Sequence, residues 1–456
     1  MKKVIMCLTV IVILLSHDPV NSMNESSGDP YVVIISIDGF PAWYLWDEEI
    51  PLPNIRKLAR NGVYAEAMIP SNPSNTWSNH TTMVTGVYPQ KHGVLHNGKL
   101  IRGGPGEPVY VDREKTRYEL VYTPTLYEAA YENGLRTADI NWPCTRDATS
   151  LHDRFPDTPF SVRHMSPKLR GELMKMGLLN EDDRERAGLG RTGAGRAFLR
   201  SAAALQVIEH RTPNLILIHL TFVDTIHHNY GVDSDAGHTA IALADRHIGD
   251  FLEALENAGV RDNTSIFIVS DHGFKNIDRQ IAPNVLLRQN GLLKTDDEGN
   301  ISRARIQVIS TGGTAMVFAT DPATRDEDLQ TARDLFEQVH GIDRILTPDE
   351  YAEYGLPLPD ENEQMGDLFL SAGEGHAFHN RATGDDVITN ARRGYHGFLN
   401  DNPKMETVFI ASGRNIPGGQ TLGTVDVRSL APTAARLLGV PFETADLPPL
   451  DEILDF

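Results

Sequence analysis

Three aspartates follow apolar, β-branched stretches of the sequence at the point where each stretch ends. Asp38 follows residues 32–37, Asp224 follows residues 215–223, and Asp271 follows residues 265–270. Because ligands bind at the carboxyl ends of strands in open α/β sheets, these side chains are placed where chemistry is expected. One such aspartate is most often a helix cap, but three together indicate a shared site.

Three histidines accompany these aspartates. Asp224 and His228 are four positions apart, so one helical turn puts both on one face, whereas Asp271 and His272 are consecutive. His396 lies between glycines at positions 394 and 397, where small residues allow close approach. Three carboxylates and three imidazoles suffice for two divalent ions, and such mixed ligation favours zinc, with manganese or iron as alternatives.

A loop rich in turn-forming residues, 70–80, leads into a helix predicted over residues 78–85, with Gly86 as its stop. This loop brings Thr76 to a helix N-terminus, where free N–H groups and the helix dipole favour an anionic phosphate. Serine and threonine are also common helix caps, so the loop taken alone predicts a cap equally well.

Short motifs recur along the chain in a fixed order. They are Ile37-Asp38-Gly39-Phe40, Thr76-Trp77-Ser78-Asn79-His80, Val84-Thr85-Gly86-Val87-Tyr88-Pro89, His92-Gly93-Val94 with Asn97, Trp142-Pro143, Asp224-x-x-x-His228-x-Tyr230-Gly231, Ser270-Asp271-His272-Gly273 and Tyr395-His396-Gly397-Phe398 with Met405. Jointly, over about residues 31 to 440, they resemble the nucleotide pyrophosphatase/phosphodiesterase family of the alkaline phosphatase superfamily.

This resemblance implies roles for individual residues. One zinc ion would be held by Asp224, His228 and His396, and the other by Asp38, Asp271, His272 and the Thr76 oxygen. Thr76 would be the nucleophile, Asn97 and the Trp77 backbone N–H would hold a phosphoryl oxygen, and the Trp77 ring would stack on a nucleobase. The other histidines considered, His92, His96, His219, His376 and His379, are expected to be structural or solvent-facing.

Some positions depart from the family pattern. Phe222-Val223 replaces the usual Glu-Pro before Asp224, His227 takes a usual glycine position, and Cys144 replaces glycine after Pro143. These changes leave the ligand set intact and bear on the substrate. A sulfatase of the same superfamily is disfavoured, because Asn75 stands where its Ser-x-Pro-x-Arg motif requires arginine.

The predicted function is therefore hydrolysis of phosphodiester or pyrophosphate bonds in nucleotides or related small molecules. One alternative is a phosphonate or phosphomonoester hydrolase of the same superfamily, and another is an inactive, metal-stabilised cell-surface binding protein, which would not need Thr76. Diesters are expected over monoesters, since residues 70–86 contain no arginine, unless Lys91, Arg146 or an inserted segment supplies a cation. The formal charge of −20, from 42 basic and 62 acidic residues, argues against a nucleic-acid polymer as partner.

The elements that position these residues form an α/β pattern. Apolar runs at 31–37, 214–222, 264–270 and 407–411 predict strands buried on both faces, as in a largely parallel sheet. Helices are predicted over 124–133, 194–210 and 240–257, which gives an alkaline-phosphatase-like sheet flanked by helices. A single catalytic domain is expected over residues 30–456, with an inserted α+β subdomain at 275–393 that contains strands at 316–319 and 367–370 and a helix near 326–339.

The N-terminal segment has the layout of a secretory signal. Lys2 and Lys3 precede an apolar run at residues 4–15, too short to span a bilayer, and polar residues follow. A signal peptide over residues 1–22 is predicted, with export to the periplasm or medium and no transmembrane span after cleavage. Cleavage would remove Cys7 and leave Cys144 as the only thiol.

Overall fold

A computed structural model describes residues 28–180 and 193–456 of the chain. The predicted signal peptide over residues 1–22 lies outside the described residues. None of the helices described in these two ranges has the length and apolar character needed to cross a bilayer.

The described residues form strands and helices in alternation. The strands are β1 (Tyr31–Ile37), β2 (Val63–Ile69), β3 (Lys99–Ile101), β4 (Tyr110–Asp112), β5 (Thr137–Pro143), β6 (Asp153–Asp157), β7 (Leu215–Leu220), β8 (Thr264–Val269), β9 (Lys275–Ile281), β10 (Leu293–Thr295), β11 (Ile301–Ala304), β12 (Ile306–Ser310), β13 (Thr314–Ala319), β14 (Ile342–Leu346), β15 (Leu368–Ala372), β16 (His376–Phe378), β17 (Val387–Tyr395), β18 (Phe409–Gly413) and β19 (Gln420–Asp426). The α-helices are α1 (Pro53–Asn61), α2 (Thr76–Thr85), α3 (Pro89–His92), α4 (Arg117–Leu120), α5 (Leu126–Glu132), α6 (Pro167–Lys175), α7 (Gly193–Arg211), α8 (Phe222–Tyr230), α9 (Asp235–Asn257), α10 (Pro283–Gln289), α11 (Arg325–Phe336) and α12 (Leu430–Leu438). Short 3-10 helices lie at Ala42–Trp46, Ser161–His164, Arg261–Asn263, Pro348–Tyr354, Pro403–Met405, Val427–Ser429 and Asp451–Ile453.

The central sheet has eight strands in the order β19-β2-β18-β8-β1-β7-β5-β6. Every neighbouring pair is parallel except the two that involve β18, which runs antiparallel to both β8 and β2. The prediction of a largely parallel sheet flanked by helices is confirmed. Within it, the last predicted strand runs against its neighbours, because the chain re-enters the sheet from the edge where β8 ends.

Side chains of β1 alternate between two cores, one on each face of the sheet. Val33, Ile35 and Ile37 pack in a cluster with α1, α7 and α9, whereas Val32 and Ile34 pack with α2, α5 and α12. A strand covered on both faces needs apolar side chains in both directions, which explains the continuous apolar run.

Between β8 and β18 the chain forms an insertion with its own sheets and core. Its sheets are β12-β13-β15-β14, β16-β9-β17 and β10-β11, and its helices α10 and α11 pack on the same apolar cluster. The strands and the helix predicted inside this region correspond to β13, β15 and α11. β9 and β17 pair antiparallel at the base of the insertion, so the chain leaves and returns at one place beside the central sheet.

Candidate metal centre

The six predicted ligand side chains converge at the carboxyl edge of the central sheet in two groups. The first trio is Asp38, Asp271 and His272, and the second trio is Asp224, His228 and His396. Within each trio, the three nearest ligand atoms lie within 4.8 Å of one another. The register of the sheet explains the convergence, because Ile37 of β1 pairs with Leu220 of β7 and Ser36 pairs with Val269 of β8.

Local structure fixes the position of each predicted ligand. Asp38 is followed by Gly39 at φ 70°, where a Cβ would lie 2.7 Å from the ring of Phe274, so this turn requires glycine. Asp224 and His228 lie one turn apart on α8, and their nearest oxygen and nitrogen atoms are 3.2 Å apart. His396 follows β17, and its ring stacks on that of His272 at 3.6 Å between centroids, which brings the trios side by side.

The ring nitrogens of the three histidines are arranged as in metal sites. The Nδ1 atoms of His228, His272 and His396 lie 3.0–3.1 Å from the backbone carbonyls of Gly394, Gly273 and Ser74 respectively. Since a carbonyl only accepts, each Nδ1 carries the proton and each Nε2 presents its lone pair to the centre.

Four buried atoms at the centre have no hydrogen-bond partner among the described residues. They are Asp38 Oδ1, Asp271 Oδ2, Asp224 Oδ1 and His272 Nε2. A buried polar atom without a partner costs free energy unless another group satisfies it. These atoms are the oxygen and nitrogen donors that divalent cations take, so the residues fit a two-ion centre.

The electrostatics of the centre agree with this fit. Burial raises the pKa of Asp38 well above its usual range, and the neighbouring carboxylates of Asp271 and Asp224 raise it further. Burial lowers the pKa of His272 and of His396 to about 3, so both rings are neutral and available as ligands near pH 7. Bound cations would offset the repulsion among the carboxylates.

Thr76 opens into the same space. It is the first residue of α2, two residues before the predicted start, and the Asn75 side chain caps the helix by accepting the Ser78 N–H at 3.1 Å. The helix ends at Gly86 as predicted. An open cavity of about 350 Å³ adjoins the centre, and its lining is Asp38, Thr76, Trp77, Asn97, Arg113, Asp157, Thr158, Pro159, Thr221 and Asp224.

Asn97 and Trp77 are joined by a hydrogen bond. The Trp77 backbone N–H donates to Asn97 Oδ1 at 2.9 Å, which leaves the Asn97 Nδ2 group for a ligand. The Trp77 side chain is only 5% exposed, packs against Val94, Leu120, Val121 and Cys144, and lies with its Nε1 3.4 Å from Asp157 Oδ2. Only a small part of the indole therefore reaches the cavity.

Arg113 is a cation that the sequence prediction missed. Besides the first cavity it lines a second one, of about 220 Å³, bounded by Asn75, His96, Asn97, His228, Ser310, Thr311, Gly312, Asn380, Tyr395 and His396. No carboxylate in the described ranges 28–180 and 193–456 forms an ion pair with it. The cations considered from sequence are engaged elsewhere, Lys91 with Asp446 and Arg146 with the Glu114 carbonyl.

Two further histidines adjoin the first trio. His219 was expected to be structural or solvent-facing, and His80 was named only as part of a motif. His219 Nε2 lies 3.0 Å from Asp38 Oδ2, and His80 Nδ1 donates to the Thr76 carbonyl at 2.8 Å. Together with Asp271 they form a third group of potential metal ligands. Both ring nitrogens of His219 have protein partners, so we assign His219 to the support of the first trio. His80 is bonded through Nδ1 alone, and its Nε2 has no hydrogen-bond partner among the described residues.

Comparison with known proteins was made for the sequence and for the structure. Residues 32–399 match the family model described as type I phosphodiesterase / nucleotide pyrophosphatase. An uncharacterized pyrophosphatase/phosphodiesterase of Schizosaccharomyces pombe is 24% identical over 84% of this chain and 71% of its own length. Ectonucleotide pyrophosphatase/phosphodiesterase family member 3 of Rattus norvegicus is 24% identical over 85% of this chain, which spans 40% of that protein. The structure of an inactive variant of murine ectonucleotide pyrophosphatase/phosphodiesterase 5 in complex with AMP has a TM-score of 0.68 at 18% identity and covers 94% of this chain and 100% of that one.

Proposed function

The chain belongs to the type I phosphodiesterase/nucleotide pyrophosphatase family, and on that premise we propose that it hydrolyses phosphodiester or pyrophosphate bonds in nucleotides or related small phosphodiesters. Thr76 is the nucleophile in this proposal, and two zinc ions, or manganese or iron in their place, are the cofactors. The observation that carries it is the position of Thr76, at a helix N-terminus and in one cavity with Asp38, Asp224 and Asn97.

The first trio and the Thr76 oxygen would hold one cation, and the second trio the other. Bound there, the cations would lower the pKa of the Thr76 hydroxyl and offset charge on the phosphoryl oxygens. Thr76 Oγ1, its proton released to water, attacks phosphorus, the Oγ1–P bond forms, and the bond from phosphorus to the leaving oxygen breaks. Water then attacks the phosphothreonine and releases Thr76, so two inversions give net retention at phosphorus.

Other side chains in the cavities would bind the substrate. Asn97 Nδ2 would donate to a non-bridging phosphoryl oxygen. The Trp77 N–H, which was expected to do the same, already donates to Asn97 Oδ1, so at the start of α2 it is the positive end of the helix dipole that favours the anion. Trp77 would contact a nucleobase through the part of its ring that reaches the cavity. The AMP bound to the murine relative supports a nucleotide as substrate.

Arg113 favours a second candidate function, the hydrolysis of phosphomonoesters or phosphonates. A monoester dianion has one more charged oxygen than a diester, and a guanidinium is well suited to hold it. We place this second because a pyrophosphate-linked nucleotide also offers Arg113 a second anionic group.

Trapping the covalent intermediate tests the proposal. Zinc-loaded protein is mixed with the p-nitrophenyl ester of a nucleotide, quenched in acid and analysed by mass spectrometry after proteolysis. We expect a nucleotidyl adduct on Thr76, formed as p-nitrophenolate leaves. A chiral phosphorothioate ester should be hydrolysed with retention. Inversion at phosphorus would rule out the threonine intermediate, and absence of any diester turnover would support an inactive binding protein.

We also propose that the protein is exported, to the periplasm or the medium, as a single catalytic domain over residues 30–456 with the insertion at 275–393. The N-terminal layout supports export, as does the similarity to proteins named ectonucleotide enzymes. N-terminal sequencing of the mature protein checks this proposal, since a start near residue 23 is expected.

A further inference from the structure

His219 holds one oxygen of a proposed metal ligand. Its Nε2 lies 3.0 Å from Asp38 Oδ2. Both residues are buried, with 0% of the surface of His219 and 3% of that of Asp38 exposed. The other oxygen, Asp38 Oδ1, lies 3.3 Å from His272 Nε2 and has no hydrogen-bond partner among the described residues. The two oxygens of the Asp38 carboxylate therefore have different neighbours: Oδ2 faces His219, and Oδ1 faces the candidate metal centre.

The far side of the His219 ring contacts Asn141. Nδ1 lies 3.3 Å from the Asn141 amide nitrogen Nδ2, and Arg200 Nε donates to Asn141 Oδ1 at 2.5 Å. Because a guanidinium only donates, the Asn141 side-chain atom in contact with Arg200 is the amide oxygen. The amide NH2 group of Asn141 therefore faces His219. An amide NH2 group also only donates, and its two hydrogens have two acceptors within reach, His219 Nδ1 at 3.3 Å and the His219 carbonyl at 3.4 Å. With Nδ1 accepting one of them, the ring proton is on Nε2.

A competing contact does not change this assignment. Nδ1 also lies 3.0 Å from the Asn141 carbonyl, which would require a proton on Nδ1. A neutral ring with its proton on Nδ1 would have an unprotonated Nε2 next to Asp38 Oδ2. The lone pairs of these two atoms would then face and repel each other. A doubly protonated ring would add a buried cation between Arg200 and the proposed metal ions, where Coulomb repulsion opposes it.

The backbone at Asn141 supports a role beyond packing. Asn141 has φ 62°, in the left-handed region, and the pairing of β5 with β6 is irregular between Ile140 and Pro143. Asparagine tolerates this conformation better than most residues with a side chain, and residues other than glycine in this region concentrate at functional sites.

We propose that Arg200, Asn141 and His219 form a positioning relay that keeps the proton on His219 Nε2 and turns Asp38 so that Oδ1 faces the cation. The relay rests on the proposed function through the metal role of Asp38. None of its three members contacts the reacting atoms, so they are positioning residues. Hydrogen-bonded partners of this kind orient the ligand and raise the affinity for the metal.

Zinc affinity tests the relay without reference to turnover. Metal-free protein is titrated with zinc against a fluorescent chelator, for the native chain and for His219→Leu and His219→Gln. We expect His219→Leu to weaken one of the two ions about 10- to 100-fold, the range found when such partners are removed elsewhere. His219→Gln should retain affinity to within about threefold, because its amide NH2 group can still donate to Asp38.

His92→Gln is the matched control. His92 is equally buried but bonds to Thr82 Oγ1 at 3.0 Å, away from both trios, so zinc affinity should not change. The relay is wrong if His219→Leu binds both ions as the native chain does, or if His219→Gln is as weak as His219→Leu.

The tautomer can be read directly in the native protein. With 15N-labelled histidine rings, and the His219 signals assigned from the His219→Gln spectrum, we expect Nδ1 at the shift of an unprotonated nitrogen and Nε2 at that of a protonated one. A proton on Nδ1, alone or with one on Nε2, would overturn the inference. If the native chain bound no divalent ion, the proposed function would fail, whereas the tautomer measurement would still decide the hydrogen-bond chain.

Discussion

Replacing Arg113 by glutamine should change which phosphate esters the protein prefers. The two proposed dications balance the three carboxylates and an ionised Thr76, so the centre is formally neutral and needs no further cation for a singly charged diester. Arg113 adjoins Asn97 in both cavities and pairs with no carboxylate in the part of the chain that the structure describes. Its charge is therefore available to a substrate with a second anionic group next to the attacked phosphorus.

The size of the effect follows from the position of Arg113. A hydrogen bond to a charged group contributes about 1.5–3 kcal/mol when it is shielded from water. Arg113 is exposed, and solvent screening reduces the contribution of an exposed charge to about 1 kcal/mol. This free energy corresponds to a loss of about fivefold in kcat/KM for Arg113→Gln.

The assay compares three substrates with each variant. Arg113→Gln should lose about fivefold in kcat/KM on a nucleoside pyrophosphate and on p-nitrophenyl phosphate, and change little on bis(p-nitrophenyl) phosphate. Lys91→Gln removes the same charge from a lysine that pairs with Asp446, and it should leave all three values unchanged. An equal loss on all three substrates, or none on the pyrophosphate, would refute the role of Arg113.

Three other predictions concern the nucleophile, the ions and stability. Thr76→Ala should lose at least about 1,000-fold in kcat, as other enzymes do without their nucleophile, yet contain two ions by metal analysis, while Thr76→Ser keeps measurable turnover. Native protein should contain two divalent ions, and Asp271→Ala and His228→Ala should each lose one from a different trio; full occupancy in both variants would contradict the assignment. Burial lowers the pKa of His92 from 6.5 to about 3, so below pH 6.5 the unfolded chain takes up a proton that the folded chain does not. Urea unfolding at pH 7 and pH 5 measures the free energy of unfolding, which should fall between these pH values by about 2 kcal/mol more in the native chain than in His92→Gln. Equal decreases in the two proteins would show that His92 is not buried in its neutral form.

The strands that carry the ligands were predictable because each is covered on both faces. β1, β7 and β8 need apolar side chains in both directions, which leaves an unmistakable run that ends at an aspartate. β5 was missed because Asp139 and Asn141 interrupt its pattern, although both are fully buried, Asp139 Oδ2 accepting from Thr145 and Asn141 Oδ1 from Arg200. β19, at the edge of the sheet, has several exposed residues and no such run.

Residues around the ligands were harder to predict than the ligands themselves. The family resemblance assigned Thr76 and the two trios, and the members of each trio come together because one strand end or one helical turn places most of them. His219 is in contact with Asp38 only through the pairing of β7 with β1, in which it lies opposite Ser36. Arg113 reaches the cavities from an irregular stretch after β4, where no periodicity relates its position to the sheet.

The paired strands β9 and β17 at the base of the insertion also set the order in which the centre can assemble. Asp271 and His272 come just before β9 and His396 just after β17, so the whole insertion separates two rings that stack at 3.6 Å. Closing so long a segment costs chain entropy that only a folded insertion repays. The second trio is therefore complete only in a chain whose insertion has closed, and a chain with an unfolded insertion lacks His396 beside Asp224 and His228.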